Sequence, residues 1–598
     1  MKLSKLNELP STREMIDAFR GYNHNIRISE GEFYDMKNLT SDEYPSLSPR
    51  KKRGIYKSPD NPLGLISKDN LCYVDGRDLY IDTYKVEGLE LDPDTSKTLI
   101  SMGAYIIIMP DKKYINTEKF SDCGNIEATV ETKSLVTFSL CKVDGTEYEN
   151  TIMQGSAPEI TEEMLKNPST IPLWVDTSQI PHQLKQYSAT SAMWSAIATT
   201  YIKITSVGDN IGLPFSENDG VTISGVKDEA LSDLNASLVI WAKGDNYIVV
   251  TGIIDKVTTQ TEPITISRKM PNMDFIIESE NRLWGCRYGV ALNGEVVNEI
   301  YACKLGDFKN WNCFMGISTD SYAASVGTDG QFTGAITYLG YPLFFKEDCI
   351  HKVYGNYPAN FQIQTTACRG VQRGSSKSLA LVNETLLYKS RYAICAYDGS
   401  LPVEMSAALG NKQYSEAVAG SHGNKYYISM KDVAEKDPSK QYSLFVYDTY
   451  KGMWYKEDNT QVAEFCNSRG NLYYIDYDTK QIMSIEAPSN ASEGEIESKP
   501  VKWSAETGII GTDSPDKKYI SRLVVRLSLE FGAKVSFFAD YDSIGAWEPI
   551  FTMNGTSLKT FTIPIRPKRC DHLRLRIEGE GEAKIFSICK TIEQGSDL

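Results

Sequence analysis

Aromatic-rich hydrophobic runs recur along most of the chain, and turn-forming residues separate them. Examples are NLCYVDGRDLYIDTYKV from residue 70, GYPLFFKEDCIHKVYG from residue 340 and GNLYYIDYDTKQIMSIE from residue 470. After residue 330 such units begin at intervals of about 40 to 46 residues, which is the period of a four-stranded propeller blade. The pattern therefore predicts an all-β fold built around a β-propeller of about seven blades.

The repeat is interrupted between residues 121 and 266. Short alternating strands such as YIKITSV and YIVVTGII occur there, together with the helical or irregular stretch SAPEITEEMLKNPSTIP. The aromatic units then resume at MDFIIESENRLWG. Because loops of a rigid scaffold tolerate insertions, we interpret this stretch as a small β-rich domain inserted into a blade connection. The propeller is accordingly predicted over residues 61–120 and 267–488.

The two ends of the chain differ from the repeat. Residues 1–60 contain many turn formers, as in EYPSLSPRKKRG, and are predicted to form an N-terminal arm or lead-in. Residues 499–598 follow the linker PSNASEGEIESKP and alternate cleanly in RLVVRLSLEF, KVSFFADYD and HLRLRIEG. That alternation without helical segments predicts a C-terminal antiparallel β-sandwich.

Composition and charge narrow the possible functions. The 35 Tyr favour strands, and 78 Asp and Glu against 63 Lys and Arg give a net charge of -15. An acidic chain lacks the basic surface that tight binding to nucleic acid requires. The N-terminus lacks the apolar core of a signal peptide, and no apolar run approaches the roughly 20 residues of a membrane span. We therefore expect synthesis in a cytoplasm and no membrane span.

A search for catalytic and metal-binding motifs finds none. The 12 Cys are scattered singly, without a Cys-x-x-Cys pair, and no two of the 5 His lie within ten residues of each other. The segment GVQRGSSK at 370–377 imitates a P-loop but lacks its Gly-Lys-Ser/Thr ending, so it is interpreted as a polar turn. We therefore predict that the chain is not an enzyme and has no catalytic residues, no cofactor and no metal. A propeller enzyme would need a cluster of acids in one cleft.

Two basic clusters stand out against the acidic background. The first comprises Arg50, Lys51, Lys52 and Arg53, and the second comprises Arg566, Lys568 and Arg569. Either they are solvated surface, or they orient the chain against an acidic neighbouring subunit. These seven residues are the candidate interface residues.

Several segments resemble a known group of proteins. They are the lead-in FRGYNHNIRISEGEFYDMKNLTSDEYPSLSPRKKRG, the units containing NRLWG and FKEDCIHKVYG, and the ending CDHLRLRIEGEGEAKIFSICKTIEQGSDL. They resemble structural proteins of phages and prophages of Gram-positive gut bacteria. More distantly, the architecture is similar to the β-propeller tail nozzle and tail stabilisation proteins of short-tailed bacteriophages.

The resemblance implies a structural protein of the virion tail. In that family a ring of copies lies beneath the portal and adaptor, extends the DNA conduit, retains the genome and takes part in ejection. The implied partners are copies of the chain itself, a hexamer by analogy, the portal, adaptor or other tail proteins, and double-stranded DNA that passes without tight binding. Two alternatives stay open: a distal tail or tail-tip protein that contacts the host surface or its carbohydrate, and a propeller that processes glycans.

Overall fold

The computed structural model describes residues 11–290, 294–489, 491–511, 517–566 and 568–594. Their regular structure consists almost entirely of β-strands, with short helical turns between them. Seven four-stranded antiparallel sheets form a β-propeller, a separate set of strands is inserted after the second blade, and a large antiparallel sheet closes the chain. The predicted fold class is therefore confirmed.

The N-terminal segment contributes strands to other parts of the molecule. Its strands are β1 (Ser11–Ile16), β2 (Phe33–Lys37), β3 (Leu39–Thr40), β4 (Ser48–Pro49) and β5 (Gly54–Lys57). β1 and β2 form the two ends of the C-terminal sheet, whereas β5 pairs with the last blade. The predicted arm over residues 1–60 is therefore corrected, because its described part is built into both folded units.

The first two blades follow directly. They comprise β6 (Pro62–Lys68), β7 (Asn70–Asp75), β8 (Asp78–Ile81), β9 (Tyr84–Lys85), β10 (Thr98–Met102), β11 (Tyr105–Met109), β12 (Lys113–Asn116) and β13 (Cys123–Asn125). β11 reads YIIIM and is buried on both faces, because each blade is covered by its neighbours. This explains why central blade strands are apolar runs and do not alternate. β13 lies within the range predicted for the inserted domain but is the outer strand of the second blade.

The inserted domain has three small sheets. Its strands are β14 (Ala128–Glu131), β15 (Val136–Cys141), β16 (Thr151–Gln154), β17 (Leu173–Asp176), β18 (Gln183–Ser188), β19 (Met193–Ala196), β20 (Tyr201–Ser206), β21 (Gly220–Ser224), β22 (Ser237–Val239), β23 (Ala242–Lys243), β24 (Tyr247–Thr251), β25 (Thr258–Gln260) and β26 (Thr265–Arg268), with helix α1 (Glu162–Lys166). It buries its own apolar cluster, which includes Phe138, Ile204, Ile248 and Ile266. Its first and last strands pair, so its entry and exit are adjacent.

The remaining five blades complete the propeller. They comprise β27 (Phe275–Ser279), β28 (Arg282–Val290), β29 (Val296–Ala302), β30 (Tyr322–Ser325), β31 (Gly334–Tyr338), β32 (Tyr341–Phe345), β33 (Cys349–Tyr354), β34 (Gln362–Ala367), β35 (Ala380–Val382), β36 (Thr385–Lys389), β37 (Ile394–Tyr397), β38 (Val403–Glu404), β39 (Tyr414–His422), β40 (Lys425–Asp432), β41 (Tyr442–Asp448), β42 (Met453–Lys456), β43 (Val462–Ser468), β44 (Asn471–Asp476) and β45 (Ile482–Ser484). The last three strands are joined by β5, so the N-terminal segment supplies the outer strand of the seventh blade.

The C-terminal sheet bends over a shared core. Its strands are β46 (Lys502–Thr507), β47 (Lys518–Tyr541), β48 (Glu548–Ile563), β49 (Leu573–Glu580) and β50 (Ala583–Gln594). β47 pairs with β50 along its first half and with β49 along its second half. The register shifts between Leu529 and Lys534, where residues 530–532 are exposed. This core continues into that of the sixth blade, so the sheet and the propeller pack together.

The first strand of each blade lies innermost, and these strands contact one another around the ring. The fourth and fifth blades differ, because the short 3-10 helix Ser376–Ser378 contacts β31 at this place. The chain segment that leads into the fifth blade therefore lies between the sheets of the fourth and fifth blades.

The described residues include no helix of the length and apolar character needed to cross a membrane. All 12 cysteines are free, and most are buried within the sheets.

Candidate functional site

A cleft of about 800 Å³ opens between the fourth and fifth blades. It lies on the face of the propeller at which the first strand of each blade begins, because segments preceding β31 and β35 contribute to it. The turns β32–β33 and β36–β37 lie at the same end. The lining residues are Asp329, Gly330, Gln331, Thr333, Lys346, Glu347, Asp348, Arg369, Arg373, Ser390, Arg391 and Tyr392.

The fourth blade supplies three carboxylates, which we call the acidic wall: Asp329, Glu347 and Asp348. Asp329 precedes β31, whereas Glu347 and Asp348 occupy the turn between β32 and β33. That turn is tied to the segment that follows β34, because the backbone N–H groups of Gly370 and Cys368 donate to the carbonyls of Glu347 and Asp348, each at 3.0 Å. Backbone hydrogen bonds therefore hold the turn that carries Glu347 and Asp348 in place.

Three guanidinium groups line the rest of the cleft, and we call them the basic wall: Arg369 and Arg373 on the segment between β34 and β35, and Arg391 in the β36–β37 turn. Arg369 forms an ion pair with Glu404 at 3.2 Å. Arg391 lies over the ring of its neighbour Tyr392, with 5.5 Å between the guanidinium carbon and the ring centroid. Tyr392 is 73% exposed, so it presents an aromatic face beside the cleft.

A buried lysine supports the acidic wall from behind. The Nζ of Lys346 donates to the Thr328 carbonyl at 2.7 Å and to the Asn298 Oδ1 at 3.0 Å. Its amine also donates to the Asp329 carbonyl at 3.4 Å, and burial lowers the pKa of this lysine, whereas the charges of Asp348 and Asp329 raise it. His351 contacts the Thr328 hydroxyl at 2.9 Å, and burial lowers its pKa to about 4. These contacts fix the segment that carries Asp329.

A second buried lysine occupies the equivalent place in the next blade. Lys389 is the last residue of β36, and Lys346 directly follows the equivalent strand β32. The Nζ of Lys389 donates to the Gln372 side chain at 3.0 Å and to the carbonyls of Ser390 and Arg391. Burial lowers the pKa of Lys389 to about 8. The lysine joins the two segments that carry Arg373 and Arg391.

The close approach of the segment after β34 to the end of β32 requires a glycine. A Cβ on Gly370 would lie 1.8 Å from the Lys346 carbonyl oxygen. Any side chain at this position would push the segment 368–375 away from the β32–β33 turn. Gly370 therefore sets the separation of the two walls.

One buried polar group of the cleft lacks a partner. Thr333 is 4% exposed, and its Oγ1 has no hydrogen-bond partner in the structure. A buried hydroxyl without a partner costs about 1 to 3 kcal/mol. Because Thr333 lines the cleft, a ligand hydroxyl or a water molecule at this place would satisfy it.

The first predicted basic cluster is only partly on the surface. Arg50 and Arg53 are buried, and Arg53 forms ion pairs with Glu457 at 2.6 Å and Asp458 at 3.0 Å. Arg50 forms an ion pair with Glu497 at 2.9 Å. These two arginines were interpreted either as solvated surface or as interface residues, and both interpretations are corrected: they are buried and hold the N-terminal segment against the chain entering the seventh blade. Lys51 and Lys52 are exposed.

The second predicted cluster lies on the C-terminal sheet. Arg566, Lys568 and Arg569 are exposed, and Lys568 forms an ion pair with Glu548. The structure does not bring these residues to the cleft or to the first cluster. Their role in an interface stays a prediction.

The cleft residues were missed because no local motif marks them. They come from four separate segments of two blades, whereas the motif search requires fixed spacing along the chain. A signal was present in GVQRGSSK, which was interpreted as a polar turn and forms part of the segment lining the cleft. Aligning the blades would also have placed Lys346 and Lys389 at one equivalent position. Within the described residues, no group of three or more His, Cys, Asp or Glu is arranged to hold a metal ion.

Comparisons with known proteins give only remote structural likenesses. No family model and no curated protein matches the chain. The chain is similar to an exo-β-1,3-galactanase from Phanerochaete chrysosporium, with 9% identity over 53% of this chain and 94% of that one, at a TM-score of 0.20. It is similar to the β-propeller domain of the trilobed protease from Pyrococcus furiosus, with 10% identity over 53% and 90%, at 0.24. A family 43 arabinoxylan arabinofuranohydrolase from Bacillus subtilis gives 8% identity over 52% and 94%, at 0.17.

These likenesses correct one prediction. The chain was predicted not to be an enzyme, and the glycoside hydrolases among its structural neighbours contradict that prediction, which is withdrawn. The TM-scores are too low to assign an activity to this chain. Three acids, Asp329, Glu347 and Asp348, line one cleft, although no sequence motif marks them.

Proposed function

We propose that the cleft between the fourth and fifth blades binds a carbohydrate. The observation that carries this proposal is the combination of an exposed aromatic ring, Tyr392, with carboxylates and guanidinium groups around one concave site. Ligand sites are concave, with a few converging polar groups that fix orientation. The unpartnered hydroxyl of Thr333 adds a buried polar group that is available to hydrogen-bond with a ligand.

Each part of the cleft suits the chemistry of a sugar. A sugar ring has apolar C–H faces, which pack against an aromatic side chain, and a rim of hydroxyl groups. Each hydroxyl both donates and accepts, so it pairs with a carboxylate on one side and a guanidinium on the other. Hydrogen bonds to charged groups are about twice as strong as neutral ones.

Cleavage of a glycosidic bond is the second candidate function. Glycosidases use two carboxyl groups that flank the scissile bond, one as acid and the other as base or nucleophile. Asp329 and the pair Glu347 and Asp348 reach the cleft from different segments of the fourth blade. This cluster of acids favours testing for hydrolysis as well as binding.

Binding is tested with the full chain and a panel of oligosaccharides that includes bacterial envelope fragments, measured by calorimetry. We expect Tyr392→Ala to weaken the binding of a recognised sugar by about tenfold, or about 1.4 kcal/mol. Tyr450→Ala is the matched control, because Tyr450 is 83% exposed in a turn at the opposite face of the propeller. Absence of saturable binding to every sugar, or equal binding by both variants, would contradict the proposal. Release of reducing sugar that is lost in Glu347→Gln or Asp348→Asn would assign hydrolysis.

We further propose that the protein acts in a bacteriophage tail, on the strength of the sequence resemblance. A sugar-binding cleft favours the alternative of contact with host-surface carbohydrate over a nozzle-like ring, because the wall of a DNA conduit needs no such cleft. The net charge of -15 suits either place, since an acidic wall would not retain DNA by phosphate contacts.

Electron microscopy of whole virions, with this chain located by a specific antibody fragment, tests the position. We expect it at the distal end of the tail. A ring beneath the portal would support the nozzle-like alternative and overturn the distal position. A place on the capsid surface would overturn both tail proposals.

A further inference from the structure

The acidic and basic residues of the cleft come from different segments. Asp329 precedes the fourth blade, and Glu347 and Asp348 lie in its β32–β33 turn. Arg369 and Arg373 lie on the segment that connects the fourth blade to the fifth, and Arg391 lies in the β36–β37 turn of the fifth. In the part of the chain that the structure describes, no ion pair connects the two walls. The cleft therefore presents charges of both signs to a ligand from different segments of the chain.

The neighbouring charges compensate these residues only in part. Lys346 also lines the cleft, and its amine donates to the Asn298 Oδ1 and to the carbonyls of Thr328 and Asp329. Arg369 is compensated by Glu404. The carboxylate of Glu347 accepts the backbone N–H of Arg373 at 3.2 Å, which leaves the Arg373 guanidinium group uninvolved.

We propose that the bound sugar is zwitterionic, with an amine that faces the acidic wall and a carboxylate or phosphate that faces the basic wall. This inference rests on the proposed function, since it names the class of carbohydrate that the same cleft takes. A sugar with both groups replaces water at both walls with charge-assisted hydrogen bonds. A sugar with one charge forms favourable contacts at the wall of opposite charge and is repelled by the wall of like charge. Such repulsion excludes unsuitable ligands.

The floor of the cleft supplies an independent observation. Thr333 lies on the fourth-blade side, at the start of the first strand, and its buried Oγ1 has no partner. A hydroxyl both donates and accepts, so it can pair with a sugar hydroxyl between the two charged substituents. The charged walls would then orient the ring, and Thr333 would hold its middle.

The test uses five monosaccharides with the full chain, measured by saturation-transfer nuclear magnetic resonance. Glucose carries no charge, glucosamine carries only the amine, and glucuronate carries only the acid. Muramic acid carries an amine and a carboxylate, and glucosamine 6-phosphate carries an amine and a phosphate. We expect at least one of the two zwitterions to bind at least tenfold more tightly than glucose and more tightly than either singly charged sugar. Their relative affinities distinguish carboxylate from phosphate.

Charge-neutralising variants show whether the walls cause this preference. Muramic acid differs from glucuronate by its amine, so Asp348→Asn is expected to remove its tighter binding relative to glucuronate. It differs from glucosamine by its carboxylate, so Arg373→Gln is expected to remove its tighter binding relative to glucosamine. Arg77→Gln is the control, since Arg77 lies on the same face in the first blade and pairs with Glu90. Equal affinity for all five sugars, or tighter binding of a singly charged one, overturns this inference but preserves the proposed function. If none of these sugars and no oligosaccharide of the panel binds, the proposed function itself fails.

Discussion

Replacing Arg53 with methionine will lower the free energy of unfolding by about 3 to 5 kcal/mol, the loss typical of a broken buried ion pair. Arg53 is buried beside Glu457 and Asp458, so the substitution leaves two carboxylates with too little compensating charge. Methionine preserves most of the volume against Tyr474, which the guanidinium contacts. Urea denaturation followed by tryptophan fluorescence measures the change.

Lys51→Met is the matched control, two residues away. The Lys51 side chain is 66% exposed and pairs with Glu486, so its loss should cost less than about 1 kcal/mol. If both substitutions have the same small effect, the buried pair does not stabilise the N-terminal segment. Combining Arg53→Met with Glu457→Gln and Asp458→Asn should recover much of the loss, because no unpaired charge then stays buried.

The same ion pairs make the free energy of unfolding depend on pH. Arg53 and Arg50 lower the pKa of Asp458 to about 2, whereas a free aspartate titrates near 3.8. A carboxylate whose pKa is lower in the folded than in the unfolded protein stabilises the fold above pH 3.8. This stabilisation is lost as the pH falls towards 2. The wild type should therefore lose about 2 kcal/mol from this group across that window, and Asp458→Asn should not.

Removing the N-terminal segment will prevent the protein from folding cooperatively, whereas removing the much longer inserted domain will not. A chain that begins at residue 58 lacks β5, which is the outer strand of the seventh blade, and lacks β1 and β2 of the C-terminal sheet. It also lacks Phe19 and Phe33, which are buried in the largest apolar cluster. We expect an aggregated product without a cooperative thermal transition.

The comparison variant replaces Ala128–Arg268 with a short Gly-Ser linker. Ala128 and Arg268 are paired in register, so the linker closes a gap between neighbouring strands. The inserted domain has its own core, and its contacts with the third blade are polar, as between Asp219 and Asn310. Circular dichroism and calorimetry should show a folded propeller. If the variant without the inserted domain is insoluble and the variant without the N-terminal segment folds, the prediction is wrong for both segments.

A point substitution tests the closure of the seventh blade without truncation. A Cβ on Gly54 would lie 2.5 Å from the Ser484 Oγ and 3.2 Å from the Ala487 Cα. Gly54→Val should therefore weaken the pairing of β5 with β45 and lower the thermal midpoint. Gly494→Ala is its control, because nothing lies within 4 Å of the added carbon there.

Sequence patterns predicted the fold better than the site. The blade strands are recognisable because burial on both faces selects apolar runs such as YIIIM in β11, and the inserted domain is recognisable where that repeat stops. The N-terminal segment was misinterpreted as an arm, because β1, β2 and β5 are short and their partners lie hundreds of residues away. The basic cluster at 50–53 was assigned to the surface, because a local run of charge gives no information about the carboxylates that meet it through space.

The sequence by itself determined the all-β class, the propeller repeat, the inserted domain and the antiparallel strands of the C-terminal region, because each depends on local hydrophobic periodicity and turn residues. Only the tertiary structure decided how the ring closes, which arginines are buried and where the acidic and basic walls meet. Those features bring together residues that lie far apart along the chain, such as Asp329 with Arg391 and Arg53 with Asp458. Electrostatic and hydrogen-bonding contacts act over a few ångströms in space, so their partners are set by the packing of the blades and not by distance along the chain.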